Sequence, residues 1–200
     1  MFRPQRAQHT QGAGDENWQS DFGLPGADAA VYALARTSTG ELYVGGAFRV
    51  VGNTAASRIA KWDGTNWSSL GAGLNDTVQA LTLNNSGSLY VAGNFTTAGG
   101  SAANHIAKWN GSNWQALGTG VQGAPASTAV VRSLFMDGTG TLYAGGSFAQ
   151  AGGVAAANIT RWNGTAWSSL GTGVQGANSL VAALTVVGRN LYVSGSFLGW

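Results

Sequence analysis

Short apolar runs recur along the chain, each closed off by Gly, Asn, Ser, Thr or Asp, and they return in a fixed order of four. The first is Val31-Tyr32-Ala33-Leu34, matched at 78–81, 131–134 and 181–184. The second is Leu42-Tyr43-Val44-Gly45-Gly46, matched at 89–93, 142–146 and 191–195. The third, Ile59-Ala60-Lys61-Trp62, returns at 106–109 and 159–162. The fourth starts at Trp67, Trp114 or Trp167 and ends on Leu-Gly. All are of strand length and none carries a sustained 3.6-residue period, so the predicted elements are strands. Turn residues at 38–40, 85–87 and 138–140 join the first run to the second. Asp63-Gly64, Asn110-Gly111 and Asn163-Gly164 join the third to the fourth, a tight-hairpin signal expected to place both turn residues at positive φ. Such a hairpin puts Trp62 and Trp67 on one face of the sheet. The Ala/Gly-rich stretch between second and third runs is expected to hold no more than a short turn.

The Leu-Tyr phrase repeats at spacings of 47, 53 and 49 residues. Four short strands repeated at such a period predict an all-β fold, a β-propeller of four-stranded antiparallel blades. About four blades are expected per chain, the last one split between the two termini. The fourth copy stops after its second run, and Asn17-Trp18-Gln19-Ser20-Asp21-Phe22-Gly23 reads as a fourth run without its predecessors. The expected division is a polar segment over 1–15 and a propeller over 16–200. Its blades cover approximately 28–75, 76–128 and 129–180, with a split blade from 181–200 plus 16–27. Strand exchange between termini would remove an exposed edge, within one chain or between chains as a homo-oligomer. The other reading is a truncated fragment of a larger secreted propeller protein.

The repeat resembles the kelch class, in which a Gly-Gly pair ends one strand, an aromatic follows on the next, and a Trp comes a few residues later. Gly45-Gly46, Trp62 and Trp67 fill those places. It departs from kelch in using Trp where Tyr is usual and in lacking the regular Arg after the last strand. It is more similar to the Gly/Asn/Trp-rich repeats of secreted bacterial propellers and of fungal cortical polarity-marker proteins. That resemblance implies an extracellular or cell-surface propeller and no particular ligand. No signal-peptide core is visible in this chain. Charged residues make up only 9%, against about 25% in ordinary soluble domains. The ten basic and eight acidic residues form no block, which argues against nucleic acid. No apolar run is long enough for membrane insertion as a helix. Cysteine is absent, so disulfides, thiol chemistry and the Cys-linked Tyr of kelch-class copper-radical oxidases are all excluded.

The search for chemistry yields little. The two histidines, His9 and His105, are far apart, and no metal or cofactor is expected. Glu16, Glu41, Asp63, Asp76 and Asp137 do not assemble into a carboxylate pair, and no nucleophilic triad is visible. The expectation is a protein without catalysis; a glycan-active hydrolase drawing its acids from separate loops is the alternative. Recurring aromatics suit packing between blades better than stacking on sugars. Gly45, Gly46, Trp62, Trp67, Trp109, Trp114, Trp162 and Trp167 are therefore read as structural repeat residues. Lys61, Lys108 and Arg161 are read as stems covering the sheet. Ligand-binding candidates are positions that vary within the fixed frame. Tyr32, Gln79 and Arg132 share one slot, Ala182 being the fourth member. His105 shares another with Arg58 and Asn158, read as an exposed loop end. The connection over 121–129 is long and contains Pro125, whereas that over 74–77 is short. The expected function is an extracellular scaffold that binds a carbohydrate or protein ligand, self-assembles through its terminal strands, or does both.

Overall fold

A computed structural model describes residues 26–124, 128–176 and 179–198. Three antiparallel four-stranded sheets follow one another. The first comprises Val31–Arg36, Leu42–Gly46, Ile59–Trp62 and Trp67–Ser69, paired in chain order. The second comprises Val78–Leu83, Leu89–Gly93, Ile106–Trp109 and Trp114–Ala116. The third comprises Val130–Met136, Leu142–Ser147, Ile159–Trp162 and Trp167–Ser169. A fourth sheet holds two described strands, Leu180–Val187 and Asn190–Ser196. The all-β propeller architecture is thus present blade by blade. Of residues 16–27, expected to supply the outer strand of the split blade, 16–25 lie outside the described residues and Ala27 bridges to Val51 of the first blade.

The tight turns differ from expectation in one respect. Each loop between third and fourth strands has four residues, so Trp62 stands directly opposite Trp67, Trp109 opposite Trp114 and Trp162 opposite Trp167. In each pair the ring centroids lie 5.2 Å apart. Only the glycine of each loop is left-handed (Gly64, Gly111, Gly164). The preceding Asp63, Asn110 or Asn163 instead uses its Oδ1 to accept backbone N–H groups two and three residues on. The Asx side chain closes the turn, so a second left-handed residue is unnecessary.

The stretch between second and third strands also holds more than a turn. It folds into two-residue ribbons: Val50–Val51 with Thr54–Ala55, Thr97–Ala98 with Ser101–Ala102, and Gln150–Ala151 with Val154–Ala155. The connection entering each blade adds to that blade's ribbon, through Ala27 to Val51, Leu74 to Ala98, and Val121–Gln122 to Gln150–Ala151. The Ala/Gly-rich composition of these segments hid strands too short to bury a face of their own.

Packing runs from each blade to the next. Tyr43 and Ile59 of the first blade share a core with Val78, Leu89, Val91 and Trp109 of the second. Tyr90 and Ile106 meet Val131, Leu142 and Trp162 of the third. Ile159 and Tyr143 meet Val181, Leu184 and Leu191 of the fourth. The second indole of a blade ties this contact down: Trp114 Nε1 donates to the Leu70 carbonyl and Trp167 Nε1 to that of Leu117, each at 2.8 Å. The same indoles lie against their own ribbons, where a Cβ on Gly99 or Gly152 would collide with the ring. Trp109, Trp114, Trp162 and Trp167 thus stand at junctions between blades.

The Gly-Gly pair has two separate reasons. A Cβ on Gly46, Gly93 or Gly146 would run into the carbonyl oxygen of Ala30, Thr77 or Val130 on the neighbouring inner strand. A Cβ on Gly45 or Gly145 would run into the incoming valine of the next blade, Val78 or Val181.

Candidate functional site

The inner strand of every blade carries an irregularity at one place. Pairing shifts between Val31 and Ala33, Val78 and Ala80, Val131 and Ser133, and Val181 and Ala183. The residue left over is Tyr32, Gln79, Arg132 or Ala182, so the variable slot is a β-bulge. A bulge leaves one residue out of the ladder and re-aims its side chain. The glycine opposite it in every blade, Gly46, Gly93, Gly146 or Gly195, explains its position, since a Cβ there would strike the backbone of the inner segment. Tyr32, Arg132 and Ala182 are exposed and Gln79 is half-buried. Gln79 donates to Asn94 Oδ1 at 3.3 Å.

The second slot differs from expectation. Arg58, His105 and Asn158 have φ of 69°, 64° and 65°, and every other left-handed residue among those described is glycine. Each closes its ribbon by the same two bonds. Its N–H donates to the carbonyl of Phe48, Phe95 or Phe148, and its carbonyl accepts from Gly46, Gly93 or Gly146. The left-handed turn folds the chain back into the third strand and leaves the side chain in the groove between blades. His105 is therefore half-buried, not an exposed loop end. Burial holds its pKa below the ordinary 6.5, outweighing the opposite pull of the Gly93 and Asn94 carbonyls and of Asp76. The imidazole is neutral at pH 7, and its buried Nδ1 makes no well-formed hydrogen bond among the described residues.

What fills the groove depends on this residue. Between the third and fourth blades, Asn158 closes it: Nδ2 donates to the Val174 carbonyl and Ser179 Oγ, and Oδ1 accepts from Phe148 N–H. Between the first and second, Arg58 donates to the Ala47 carbonyl beside a space of about 190 Å³. Between the second and third, a cleft of about 410 Å³ remains, lined by Asp76, Asn94, Thr96, Asn104, His105, Val121, Gln122, Gly123, Thr128 and Ala129. Its volume is within the range of small-molecule sites. The structure thus brings Gln79 and His105 together through Asn94, while Tyr32 and Arg132 stand at the bulges of the flanking blades. Sequence reasoning missed Asp76, Asn94, Asn104, Gln122 and Thr128. The signal available was the long connection between the second and third blades, whose residues Val121, Gln122, Gly123, Thr128 and Ala129 line this cleft.

The repeated base makes a different contact in each blade. Lys61 pairs with Glu41 at 2.8 Å, Lys108 lies 5.8 Å from the Tyr90 ring centroid, and Arg161 Nε donates to Ser168 Oγ at 3.0 Å. Among the described residues no group of three His, Cys, Asp or Glu side chains comes together, and no helix is long and apolar enough to cross a membrane.

Solved structures share this architecture. The extracellular domain of a protein described as a one-component system of B. thetaiotaomicron superposes with a TM-score of 0.57 at 12% identity, over 84% of this chain and 20% of that one. An inactive virginiamycin B lyase of Staphylococcus aureus, solved with quinupristin, superposes with a TM-score of 0.50 at 14% identity, over 84% of this chain and 50% of that one. The chain therefore spans one fifth and one half of the lengths of these two proteins, and identities this low show the fold alone. No curated protein matches the chain. The family model described as the Rax2 C-terminal beta propeller domain matches residues 17–189. With blades, junction tryptophans and Gly-Gly pairs accounted for across that span, the chain belongs to the Rax2 C-terminal beta propeller family.

Proposed function

We propose that this propeller is a non-catalytic binding scaffold, extracellular or at the cell surface, that takes a carbohydrate or protein ligand where its inner strands begin. The observation that carries the reading is the bulge: one backbone irregularity kept in four blades, with Tyr32, Gln79, Arg132 and Ala182 upon it. A fixed frame with changed side chains is the arrangement that recognition surfaces use. The low charge, the repeat type and the extracellular domain among its structural neighbours support the location. Glycan and peptide arrays test the function. Saturable binding of one class is expected, weakened at least about tenfold by Tyr32→Ala with Arg132→Ala. Turnover on a hydrolase panel without binding to either array would overturn it.

Self-association is the second reading, and a separate observation favours it. Val78, Val131 and Val181 are fully buried against the preceding blade, whereas their counterpart Val31 is 42% exposed and Leu34 61%. At the other end Tyr192 is 54% exposed, while Tyr43 and Tyr90 are each 6%. The described residues thus present the two halves of a blade junction, unjoined.

A further inference from the structure

We propose that the groove between the first and second blades binds a tetrahedral oxyanion, sulfate or phosphate, free or as the end group of a larger molecule, with Arg58 and Arg49 as its charged donors. This goes beyond the scaffold reading and does not depend on it, since its residues are not those of the bulge. Equivalent places in the three complete blades carry different side chains. The left-handed position holds Arg58, His105 or Asn158, and the position after the phenylalanine that precedes each ribbon holds Arg49, Thr96 or Ala149. Of these blades, the first alone has a cation at both. Its groove, of about 190 Å³, is lined by Arg49, Ser57, Arg58, Leu74 and Asn75. Histidine and asparagine tolerate a left-handed backbone better than arginine does. Arg58 therefore carries the largest conformational cost of the three, for a side chain that is half-buried at the groove.

The lining is rich in donors and short of acceptors. A guanidinium has five N–H groups. Arg58 gives one from Nη1 to the Ala47 carbonyl, which fixes the group and leaves the others over. Among the described residues neither Arg49 nor Arg58 meets a carboxylate at ion-pair distance. Asp28 spends its Oδ1 on the N–H groups of Arg49 and Val50, closing the first ribbon as Asn75 closes the second through Thr96 and Thr97. Asn75 also gives Nδ2 to Thr96 Oγ1, and the Ser57 carbonyl accepts from Leu74 N–H. The two guanidiniums and the Ser57 hydroxyl are what the lining has left to offer. An oxyanion is their complement in charge and in hydrogen bonding, and arginine binds such groups through paired N–H donors. It would also relieve two like charges sharing one groove beside the apolar Leu74. The volume is below the roughly 300 Å³ at which whole small molecules are held, so the site suits a single functional group. Three donor side chains match the oxygens of a tetrahedral anion better than those of a planar carboxylate.

The test is an NMR titration of the full chain with sodium sulfate and then sodium phosphate, read at the arginine Nε–H groups, with ionic strength held constant by sodium chloride. Saturable shifts of the Arg58 Nε–H with at least one of the two anions are expected. Arg58→Asn installs the residue that the third blade carries at this place and should weaken binding at least about tenfold. Arg49→Ala copies the third blade in the same way, at an exposed position, and should weaken it about threefold. It also carries the test if Arg58→Asn fails to fold. Arg36→Ala removes an equal charge at the far end of the first strand and should leave the affinity unchanged. No saturable shift with either anion, or undiminished affinity in both groove variants, would overturn the proposal. Equal weakening by Arg36→Ala would overturn it as well, since the response would then follow net charge, and so would tighter binding of acetate than of sulfate.

Discussion

At the scale of single residues, the molecule separates positions that cannot change from positions free to vary. Gly93 belongs to the first kind, since an added Cβ would strike the Thr77 carbonyl, which is backbone and cannot turn aside. Gly93→Ala should cost about 2–3 kcal/mol. Gly138→Ala, with open space around it and no left-handed φ, should stay within about 0.5 kcal/mol of the parent. Urea unfolding of the two variants measures the contrast. His105 belongs to the second kind, and its burial makes a pH-dependent contribution. Because its folded pKa lies below the ordinary 6.5, the folded protein binds fewer protons than the unfolded chain just below that pH. Its contribution is complete above about pH 6.5 and is lost as pH falls toward the folded value. Asp28, Asp63 and Asp137 are all lowered from 3.8 and titrate below this window. His105→Asn should therefore flatten the stability profile between pH 7.5 and 5 in urea unfolding; an unchanged slope would assign the effect to other groups.

At the scale of elements, the junction between blades is the unit of stability. Trp114→Phe keeps most of the ring area but removes the bond to the Leu70 carbonyl. The expected loss is about 1–2 kcal/mol, read from the urea midpoint. Trp167→Phe should behave alike through Leu117. These elements also show what the sequence discloses and what it does not. The four strands of a blade and the facing tryptophans were legible, because a repeated apolar run and a repeated turn residue report local geometry directly. The ribbons were not, because two-residue strands lack any periodicity of their own. The bulge was legible only as variation at a slot: nothing in Val31-Tyr32-Ala33 marks Tyr32 as unpaired until the glycines opposite are in place. The cleft was least legible. It depends on Ala129 standing where the next junction has Ser179, a difference without meaning until both are set against the left-handed residue of the preceding blade.

At the scale of the whole molecule, the exposed Val31 and Leu34 face on one end and the Tyr192 face on the other match the partners already joined three times inside the chain. Two copies meeting through these faces would form a head-to-tail contact, which builds a ring if the rotation closes and a filament if it does not. Size exclusion with light scattering should show a mass above the 20.3 kDa monomer. Deleting residues 1–27 should abolish the oligomer, and Leu34→Lys should weaken it; an oligomer unchanged by both would rule this out. The indole bonds carry a further consequence. Each described one points from a later blade to a carbonyl of an earlier blade, never the other way. At these two junctions the acceptor is made before its donor, so the second and third blades each meet a template already waiting at the ribosome exit. Assembly is thereby given a direction in time, and an early junction needs nothing from the blades still to be translated.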